Sequence, residues 1–151
     1  MDELPLYSEI APLLWIGATD EEDLVGMKRS HPRIEDKSLF ELVITLNPIA
    51  NPFGWYVREY RYGFPDGKLR DEDLGVIEEL ANFGFKTWTK RKNVMVRCQM
   101  GINRSALIVA MILMKSGKEA HEAVEMVRAK RSPYCLSNRS FLEFLSEYES
   151  K

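Results

Sequence analysis

The stretch VMVRCQMGINRSALIVAMILMK, residues 94–115, joins two apolar runs through a short polar segment. The first run, 94–98, is short and rich in valine, which predicts a buried central strand. The second, 103–115, is long enough for a helix and apolar on most sides, which predicts a buried helix. Cys98 therefore ends a strand, and Arg104, six positions later, lies where a helix begins.

The rest of the chain alternates between strand and helix patterns. Strands are predicted at 13–17 (LLWIG), 39–46 (LFELVITL) and 55–62 (WYVREYRY). Helices are predicted at 71–90, 119–130 and 137–148 from apolar residues at three-and-four spacing. A Thr-x-x-Glu capping box predicts one more helix from Thr19 to a point before His31. We expect an α/β fold: a single domain over residues 1–151, with a central, largely parallel sheet of four to five strands flanked by helices.

Composition and charge narrow the class of protein. The 151 residues amount to about one domain, and the net charge of −2 gives no sign of polyanion binding. Two cysteines do not form a disulfide scaffold and fit a reducing compartment. The N-terminal stretch MDELPLYSEI lacks the apolar core of a signal peptide. The longest apolar run, residues 106–114, is too short to cross a membrane, which needs about 20 residues. We therefore expect a cytoplasmic protein that does not associate with membranes.

The segment after Cys98 suits the binding of an anion. A tight loop between a strand end and a helix start can direct several backbone N–H groups inward, and the helix terminus adds partial positive charge. Gly101 allows close backbone approach, and Arg104 offers a planar fork of donors for two phosphoryl oxygens. These surroundings favour the Cys98 thiolate, a nucleophile facing the bound group. Ser105 is placed to donate a hydrogen bond to the sulfur as it leaves.

The order Cys98-Gln-Met-Gly-Ile-Asn-Arg104-Ser105 resembles the Cys-x5-Arg-Ser/Thr loop of the cysteine-dependent protein tyrosine phosphatases, and the short chain resembles their dual-specificity branch. The resemblance implies catalytic roles for Cys98, Arg104 and Ser105. It also implies that the phosphate is bound by residues of the loop itself: Gln99, Met100, Gly101, Ile102, Asn103 and Arg104. One departure is Arg97, where the family usually has histidine. Its cation either favours the thiolate or points to the opposite side, since neighbours on a strand face opposite ways.

A carboxylate is the expected general acid, since neither His31 nor His121 is convincingly placed and both are expected on the surface. Asp66 lies in Phe-Pro-Asp-Gly, thirty-two positions before Cys98, a separation that resembles the one in dual-specificity phosphatases. A mobile loop could bring Asp66 over the phosphate. The competing carboxylate is Asp71, which we expect to cap the helix starting there, while Asp73 is expected to be solvated.

Three more residues carry open alternatives. Asn138 matches an asparagine that family members often have before the last helix, where it helps to hold the phosphate loop; it is also a candidate N-cap. Cys135 is expected to be a buried structural thiol rather than a partner that resolves oxidised Cys98. Asn103 is expected to brace the loop, although Gly-x-Asn-Arg also resembles RNA 5′-triphosphatases of the same superfamily.

The resemblance implies a metal-independent phosphatase without a cofactor, acting through a phosphocysteine intermediate. The expected substrate is a phosphorylated protein carrying phosphotyrosine, with phosphoserine and phosphothreonine also admitted by a shallow site. The alternatives are an RNA 5′-triphosphatase, which ranks lower, and a phosphate-binding pseudophosphatase or adaptor. No stable partner is expected.

Overall fold

The computed structural model describes residues 4–19, 40–54 and 57–149. These residues form five strands and four helices. In chain order they are β1 (Tyr7–Ala11), β2 (Leu14–Gly17), β3 (Leu42–Thr45), β4 (Arg58–Arg61), α1 (Asp71–Thr89), β5 (Val94–Arg97), α2 (Arg104–Lys115), α3 (Ala120–Lys130) and α4 (Arg139–Glu149).

The strands make one sheet in the order β1-β2-β5-β3-β4, with β5 in the centre. All neighbours are parallel except β1 and β2, which form an antiparallel pair at one edge. Val96 of β5 lies opposite Ile16 of β2 and Ile44 of β3. The predicted fold class, an α/β fold with a largely parallel sheet, is confirmed. Because parallel strands end at the same edge, the residues that follow β2, β3 and β5 meet there.

Both faces of the central strands are covered, as expected for parallel strands. One face joins the main core with apolar residues from all four described helices; its strand residues are Leu14, Ile16, Leu42, Ile44, Val94 and Val96. The alternate residues Val43 and Met95 point to the other face and pack with Phe40, Phe53 and Val57. Helix α2 is almost wholly buried, because it lies on the sheet beneath the other helices.

The N-terminal strand β1 is an element that the sequence pattern did not predict. It pairs with β2 through a tight turn at Pro12 and Leu13. Leu13 has a φ of 71°, a conformation usually left to glycine or asparagine, so the turn carries no typical hairpin signal. The Leu13 N–H donates to the Glu9 carboxylate at 3.0 Å, which stabilises this turn.

The other predictions largely agree with the structure. The strands predicted from LLWIG, LFELVITL and WYVREYRY contain β2, β3 and β4, and the predicted helices match α1 to α4 to within a few residues. His121 is exposed and faces Glu119 at 3.3 Å, as expected for a surface histidine. The helix predicted after Thr19, together with His31, lies outside the described residues. None of the described helices is long and apolar enough to cross a bilayer.

The start of α1 differs from the prediction. Arg70, and not Asp71, is the N-cap residue, and Asp71 is the exposed first residue of the helix. Asp73, expected to be solvated, is fully buried. Its carboxylate accepts hydrogen bonds from the Tyr62 hydroxyl at 2.7 Å and from the Arg70 side chain at 2.8 and 2.9 Å. Asp73 therefore joins the helix start to the segment after β4, a contact that sequence spacing does not reveal.

The Asp73 contacts predict a pH-dependent contribution to stability. The Arg70 side chain lowers the pKa of Asp73 to about 2, from an ordinary value of 3.8. The stabilisation is therefore complete at neutral pH. It declines as the pH falls below 3.8, where the unfolded chain takes up a proton first, and is lost near the folded-state pKa. We expect Asp73→Ala to lower the free energy of unfolding at pH 7 by about 1–3 kcal/mol, measured by urea denaturation.

The difference in the free energy of unfolding between the wild type and Asp73→Ala should decrease progressively between about pH 4 and pH 2. This is roughly the interval between the pKa values of Asp73 in the unfolded and folded states. Asp71→Ala is the matched control, because it removes an exposed carboxylate from the same turn; its effect should stay within about 0.5 kcal/mol. A gap that does not change with pH would contradict the assignment.

Candidate active site

Cys98 lies at the end of the central strand, where the sheet edge meets the start of α2. Its N–H donates to the Gly17 carbonyl at 3.2 Å, which extends the pairing of β5 with β2 by one residue. The side chain is 2 % exposed. Its sulfur lies 3.2 Å from the Ser105 hydroxyl and accepts the Gly101 N–H at 3.3 Å. The structure thus brings together the predicted thiol, glycine and serine.

The segment from Cys98 to Arg104, called here the thiol loop, has all five carbonyls of residues 99–103 bonded to groups outside its concave side. Three of these carbonyls accept backbone N–H groups: Gln99 from Thr19, Ile102 from Leu136, and Asn103 from Leu107. The other two, those of Met100 and Gly101, accept hydrogen bonds from the Arg131 side chain. In a trans peptide unit the carbonyl and the following N–H point in opposite directions. The N–H groups of residues 100–104 therefore face the concave side, as the Gly101 contact with sulfur illustrates.

Gly101 is the residue at which the thiol loop turns. Its φ is 69°, in the left-handed region. A Cβ at this position would lie 2.8 Å from both the Gly17 carbonyl oxygen and the Arg131 Nη2. Both the backbone conformation and the packing therefore require glycine.

Arg104 is the first residue of α2, and its half-buried side chain lines the cleft above Cys98. Its Nη1 donates to the Phe64 carbonyl at 3.3 Å, which ties the guanidinium to the segment carrying Asp66. A guanidinium has five N–H donors, and this contact uses one of them. The N-terminus of α2 adds partial positive charge on the same side of the thiol.

Asp66 lies at the rim of the same cleft, held by two asparagines. The Asn103 amide donates to one carboxylate oxygen at 3.0 Å, and the Asn138 amide donates to the other at 2.8 Å. The orientation of Asn103 follows from its own partner, because its Oδ1 accepts the Asn138 backbone N–H at 3.1 Å. The competing Asp71 is on the exposed first turn of α1 and does not line this cleft.

Asn138 combines the two alternatives left open by the sequence. Its Oδ1 accepts the Phe141 N–H at 3.2 Å, so it caps α4. Its amide group also donates to the Gly67 carbonyl at 3.0 Å, in addition to Asp66. Asn138 thus holds the Asp66 turn directly and reaches the thiol loop through Asn103. The predicted bracing role of Asn103 agrees with these contacts.

Arg97 takes the second of its two alternatives and faces away from the thiol. It is 1 % exposed and packs on the other face of the sheet, 5.2 Å above the Phe53 ring. Its guanidinium donates to the Thr45 hydroxyl at 3.0 Å, to the Asn51 carbonyl at 2.6 Å and to the Glu59 carboxylate at 3.3 Å. This cation serves the pairing of β3, β4 and β5.

Cys135 lies behind the thiol loop and is fully buried. Burial raises the pKa of its thiol to about 11. The protonated sulfur therefore predominates at neutral pH and lies 3.8 Å from the Gly101 carbonyl. These surroundings agree with the expected structural role.

Residues around the site that the sequence did not single out include Arg131, which bonds the back of the thiol loop. A cleft of about 890 Å³ opens over Cys98; its further lining residues include Leu4, Pro5, Ser132, Pro133 and Tyr134. Arg131 follows Lys130 at the end of α3, where cations are common because they complement the helix terminus. No motif marks it as different from its neighbours, so its role emerges only from the fold.

This fold and this loop define a class of protein, the dual specificity phosphatases. Residues 69–151, a little more than half of the chain, match the model of the dual specificity phosphatase catalytic domain. The chain belongs to this family, and the family resemblance of the Cys98–Ser105 motif is confirmed.

The relatives are distant in sequence. The chain is 36% identical over 75 residues to the tyrosine-protein phosphatase pmp1 of Schizosaccharomyces pombe, a match covering 48% of this chain and 27% of pmp1. It is 26% identical over 146 residues to MAP kinase phosphatase with leucine-rich repeats protein 3 of Dictyostelium discoideum, covering 95% of this chain but 16% of that protein. The chain thus spans about a quarter or less of these two relatives.

The fold is shared with a solved mouse protein, a putative dual specificity phosphatase complexed with zinc tungstate. The two superpose with a TM-score of 0.77 at 22% identity, over 99% of this chain and 90% of the mouse chain. At this identity the likeness establishes the fold.

The conformation of Gly101 predicts that alanine is not tolerated there. We expect Gly101→Ala to lower the free energy of unfolding by roughly 2 kcal/mol or more, because the added methyl meets the Gly17 carbonyl and the backbone is strained. Urea denaturation measures the change. Gly75→Ala is the control: it lies within α1, its new Cβ would contact nothing within 4 Å, and alanine should stabilise the helix by about 0.5–1 kcal/mol. Equal stability of Gly101→Ala and the wild type would contradict this reading of the turn.

Proposed function

We propose that the chain is a cysteine-dependent phosphatase that hydrolyses phosphate monoesters on proteins, phosphotyrosine first and also phosphoserine and phosphothreonine. The observation that carries the proposal is the thiol loop, whose N–H groups of residues 100–104 face the concave side and whose Gly101 N–H lies 3.3 Å from the Cys98 sulfur. Such a concave set of amides matches the oxygens of a phosphoryl group. Arg104 and Asp66, at the rim, supply the cation and the acid that monoester cleavage requires.

In the first step the Cys98 thiolate attacks phosphorus. A sulfur–phosphorus bond forms, and the bond to the ester oxygen breaks. The loop amides and Arg104 stabilise the charge on the three remaining phosphoryl oxygens. Asp66 donates its proton to the departing oxygen, which leaves as a neutral alcohol or phenol. The two asparagines on Asp66 keep the carboxyl over the cleft during this step.

In the second step water attacks the phosphocysteine. Asp66, now a carboxylate, accepts a proton from that water, the oxygen–phosphorus bond forms and the sulfur–phosphorus bond breaks. Ser105 supports the departing sulfur, since its hydroxyl lies 3.2 Å away and can donate to the thiolate. Inorganic phosphate is the product, and the thiolate is restored.

The charges lining the cleft favour a monoester over an RNA 5′-triphosphate. Among the described lining residues, the cations are Arg104 and Arg131, and Asp66 is the acidic residue. Arg131 is bonded to loop carbonyls, which leaves Arg104 as the cation directed at a substrate. A triphosphate carries several negative charges, which Arg104 and the loop N–H groups would not balance. The charge of a single phosphoryl group matches these donors better.

The walls of the cleft support a protein substrate. Met100 and Tyr134 are 63 % and 68 % exposed, and together with Leu4 and Pro133 they form an apolar side next to the thiol loop. A phosphotyrosine ring, or an apolar side chain beside a phosphorylated residue, would bury surface against this wall.

The nucleophile is tested by Cys98→Ser. We expect turnover of p-nitrophenyl phosphate to fall by several orders of magnitude, because a serine hydroxyl is a weak nucleophile without an adjacent base. Tungstate, a phosphate mimic, should still bind when measured by calorimetry. Cys135→Ser is the matched control and should retain turnover, since serine can still donate to the Gly101 carbonyl. If Cys98→Ser kept its turnover, or the wild type had none, the proposal would fail; tungstate binding without turnover in the wild type would favour the adaptor.

The acid is tested by Asp66→Ala. We expect kcat to fall by roughly 10²–10⁴-fold, because the leaving oxygen then departs without a proton. The loss should be larger for phenyl phosphate than for p-nitrophenyl phosphate, whose phenolate leaves more easily. Asp71→Ala should retain the wild-type rate with both substrates. If Asp66→Ala kept the wild-type kcat and Asp71→Ala lost most of it, Asp71 and not Asp66 would be the general acid.

The substrate class is tested by a panel of phosphotyrosine, phosphoserine and phosphothreonine peptides and triphosphate-ended RNA, with phosphate release as the readout. We expect kcat/KM to be highest for phosphotyrosine peptides and the RNA to be a poor substrate. Preferred release from the RNA would favour the triphosphatase.

A further inference from the structure

Arg131 contacts the back of the thiol loop from the end of α3. Its Nη2 donates to the Met100 carbonyl at 2.9 Å, and its Nε donates to the Gly101 carbonyl at 3.3 Å. The remaining nitrogen, Nη1, donates to the Ser8 hydroxyl at 3.0 Å and to the Pro5 carbonyl. The residue is 7 % exposed. One guanidinium therefore joins two consecutive peptide units of the loop to the N-terminal segment.

No ion pair of Arg131 with a carboxylate occurs in the described part of the chain. Burial lowers the pKa of Arg131 below its usual range, and electrostatic coupling to the nearby sulfurs of Cys135 and Cys98 acts in the opposite direction. The guanidinium nevertheless stays protonated at neutral pH, as arginine does in proteins. Within the residues that the structure describes, a buried cation without a carboxylate partner thus lies behind a loop whose front is arranged for an anion.

The contacts of Arg131 set the direction of two amides. With the Met100 and Gly101 carbonyls held outward, the N–H groups of Gly101 and Ile102 must point to the concave side. A planar guanidinium can hold two neighbouring carbonyls in a fixed relation, which an ammonium group cannot reproduce. Without these donors the Met100 carbonyl would lose its side-chain partner, and the Gly101 carbonyl would keep only the Cys135 thiol, 3.8 Å away. Both peptide units could then rotate toward other donors.

We propose that Arg131 is a positioning residue: it presets the Gly101 and Ile102 amides for the oxyanion and contributes positive charge behind the Cys98 sulfur. The proposal deepens the proposed phosphatase function and rests on it for the effect on turnover. The effect on oxyanion binding follows from the loop alone. Arg104 acts from the substrate side, whereas Arg131 acts through the backbone and does not donate to the substrate.

Arg128 provides a matched control. It lies three residues earlier, in the last turn of α3, and is partly buried. Its Nε and Nη2 donate to the Cys135 and Leu136 carbonyls at 2.8 and 3.2 Å, in the segment whose Leu136 N–H donates to the Ile102 carbonyl. Arg128 itself donates to no carbonyl of the thiol loop in these contacts. Replacing it removes the same kind of contact from the neighbouring segment and leaves the Met100 and Gly101 carbonyls bonded.

The experiment compares Arg131→Met, Arg131→Lys and Arg128→Met, each checked for folding by circular dichroism and assayed well below its melting temperature. Calorimetry with tungstate measures oxyanion affinity, and p-nitrophenyl phosphate gives kcat and KM. We expect Arg131→Met to weaken tungstate binding at least tenfold and to lower kcat/KM about a hundredfold, because misplaced amides lose contacts in both the ground and transition states. Arg131→Lys should recover only part of the affinity. Arg128→Met should lose stability but keep tungstate affinity within threefold.

Wild-type tungstate affinity in a folded Arg131→Met protein would overturn the proposal, as would an equal loss in Arg128→Met. If Arg131→Met does not fold, the same comparison is made with Arg131→Lys, which keeps the charge and most of the aliphatic stem. Wild-type tungstate affinity in Arg131→Lys would contradict the claim that the planar guanidinium is needed to hold both carbonyls. A wild-type protein that binds tungstate but hydrolyses no monoester would refute the proposed function. The tungstate affinities of the variants would still decide the role of Arg131. A wild type that binds no tungstate would refute both.

Discussion

The outward direction of five consecutive carbonyls is the constraint on which the site depends. Each carbonyl of residues 99–103 needs a donor outside the loop, and the donors come from separate parts of the fold: Thr19 after β2, Leu107 in α2, Arg131 after α3, and Leu136 before α4. The concave row of N–H groups therefore exists only when these parts are packed together. The contacts that fold the chain and those that direct the loop N–H groups inward are largely the same.

Among the described residues, buried charged side chains lie on both faces of the sheet. Arg97 immediately precedes Cys98, yet its guanidinium lies on the opposite face with Glu59 and Thr45. The alternation of side chains along a strand explains this separation. A residue one position from the nucleophile thus stabilises the pairing of β5 with β3 and β4. The cation behind the sulfur comes instead from Arg131, more than thirty residues further along the chain.

Local patterns were sufficient to predict the strand, loop and helix around Cys98 and the parallel sheet, because apolar periodicity and turn residues are properties of short segments. Contacts between distant segments were not predictable in this way. In the sequence, Asp73 is indistinguishable from an ordinary first-turn carboxylate, whereas in the structure Tyr62 and Arg70 both donate hydrogen bonds to it. Strand β1 was missed because its turn carries Leu13 at a positive φ and no glycine. Arg131 resembled a helix-terminal cation, since its partners are backbone carbonyls with no sequence signature.

The residues proposed to carry the chemistry are all attached to, or bonded to, the thiol loop. Cys98, Arg104 and Ser105 belong to the loop or the first turn that follows it, and Asp66 is bonded to Asn103 of the same loop. The proposed nucleophile, cation and acid are therefore linked to one another through a single loop. The apolar wall of the cleft comes only partly from this loop, through Met100, whereas Leu4 and Tyr134 come from opposite ends of the chain. A short motif can consequently supply the groups for the proposed reaction, while much of the surface that would contact a substrate comes from segments outside the motif.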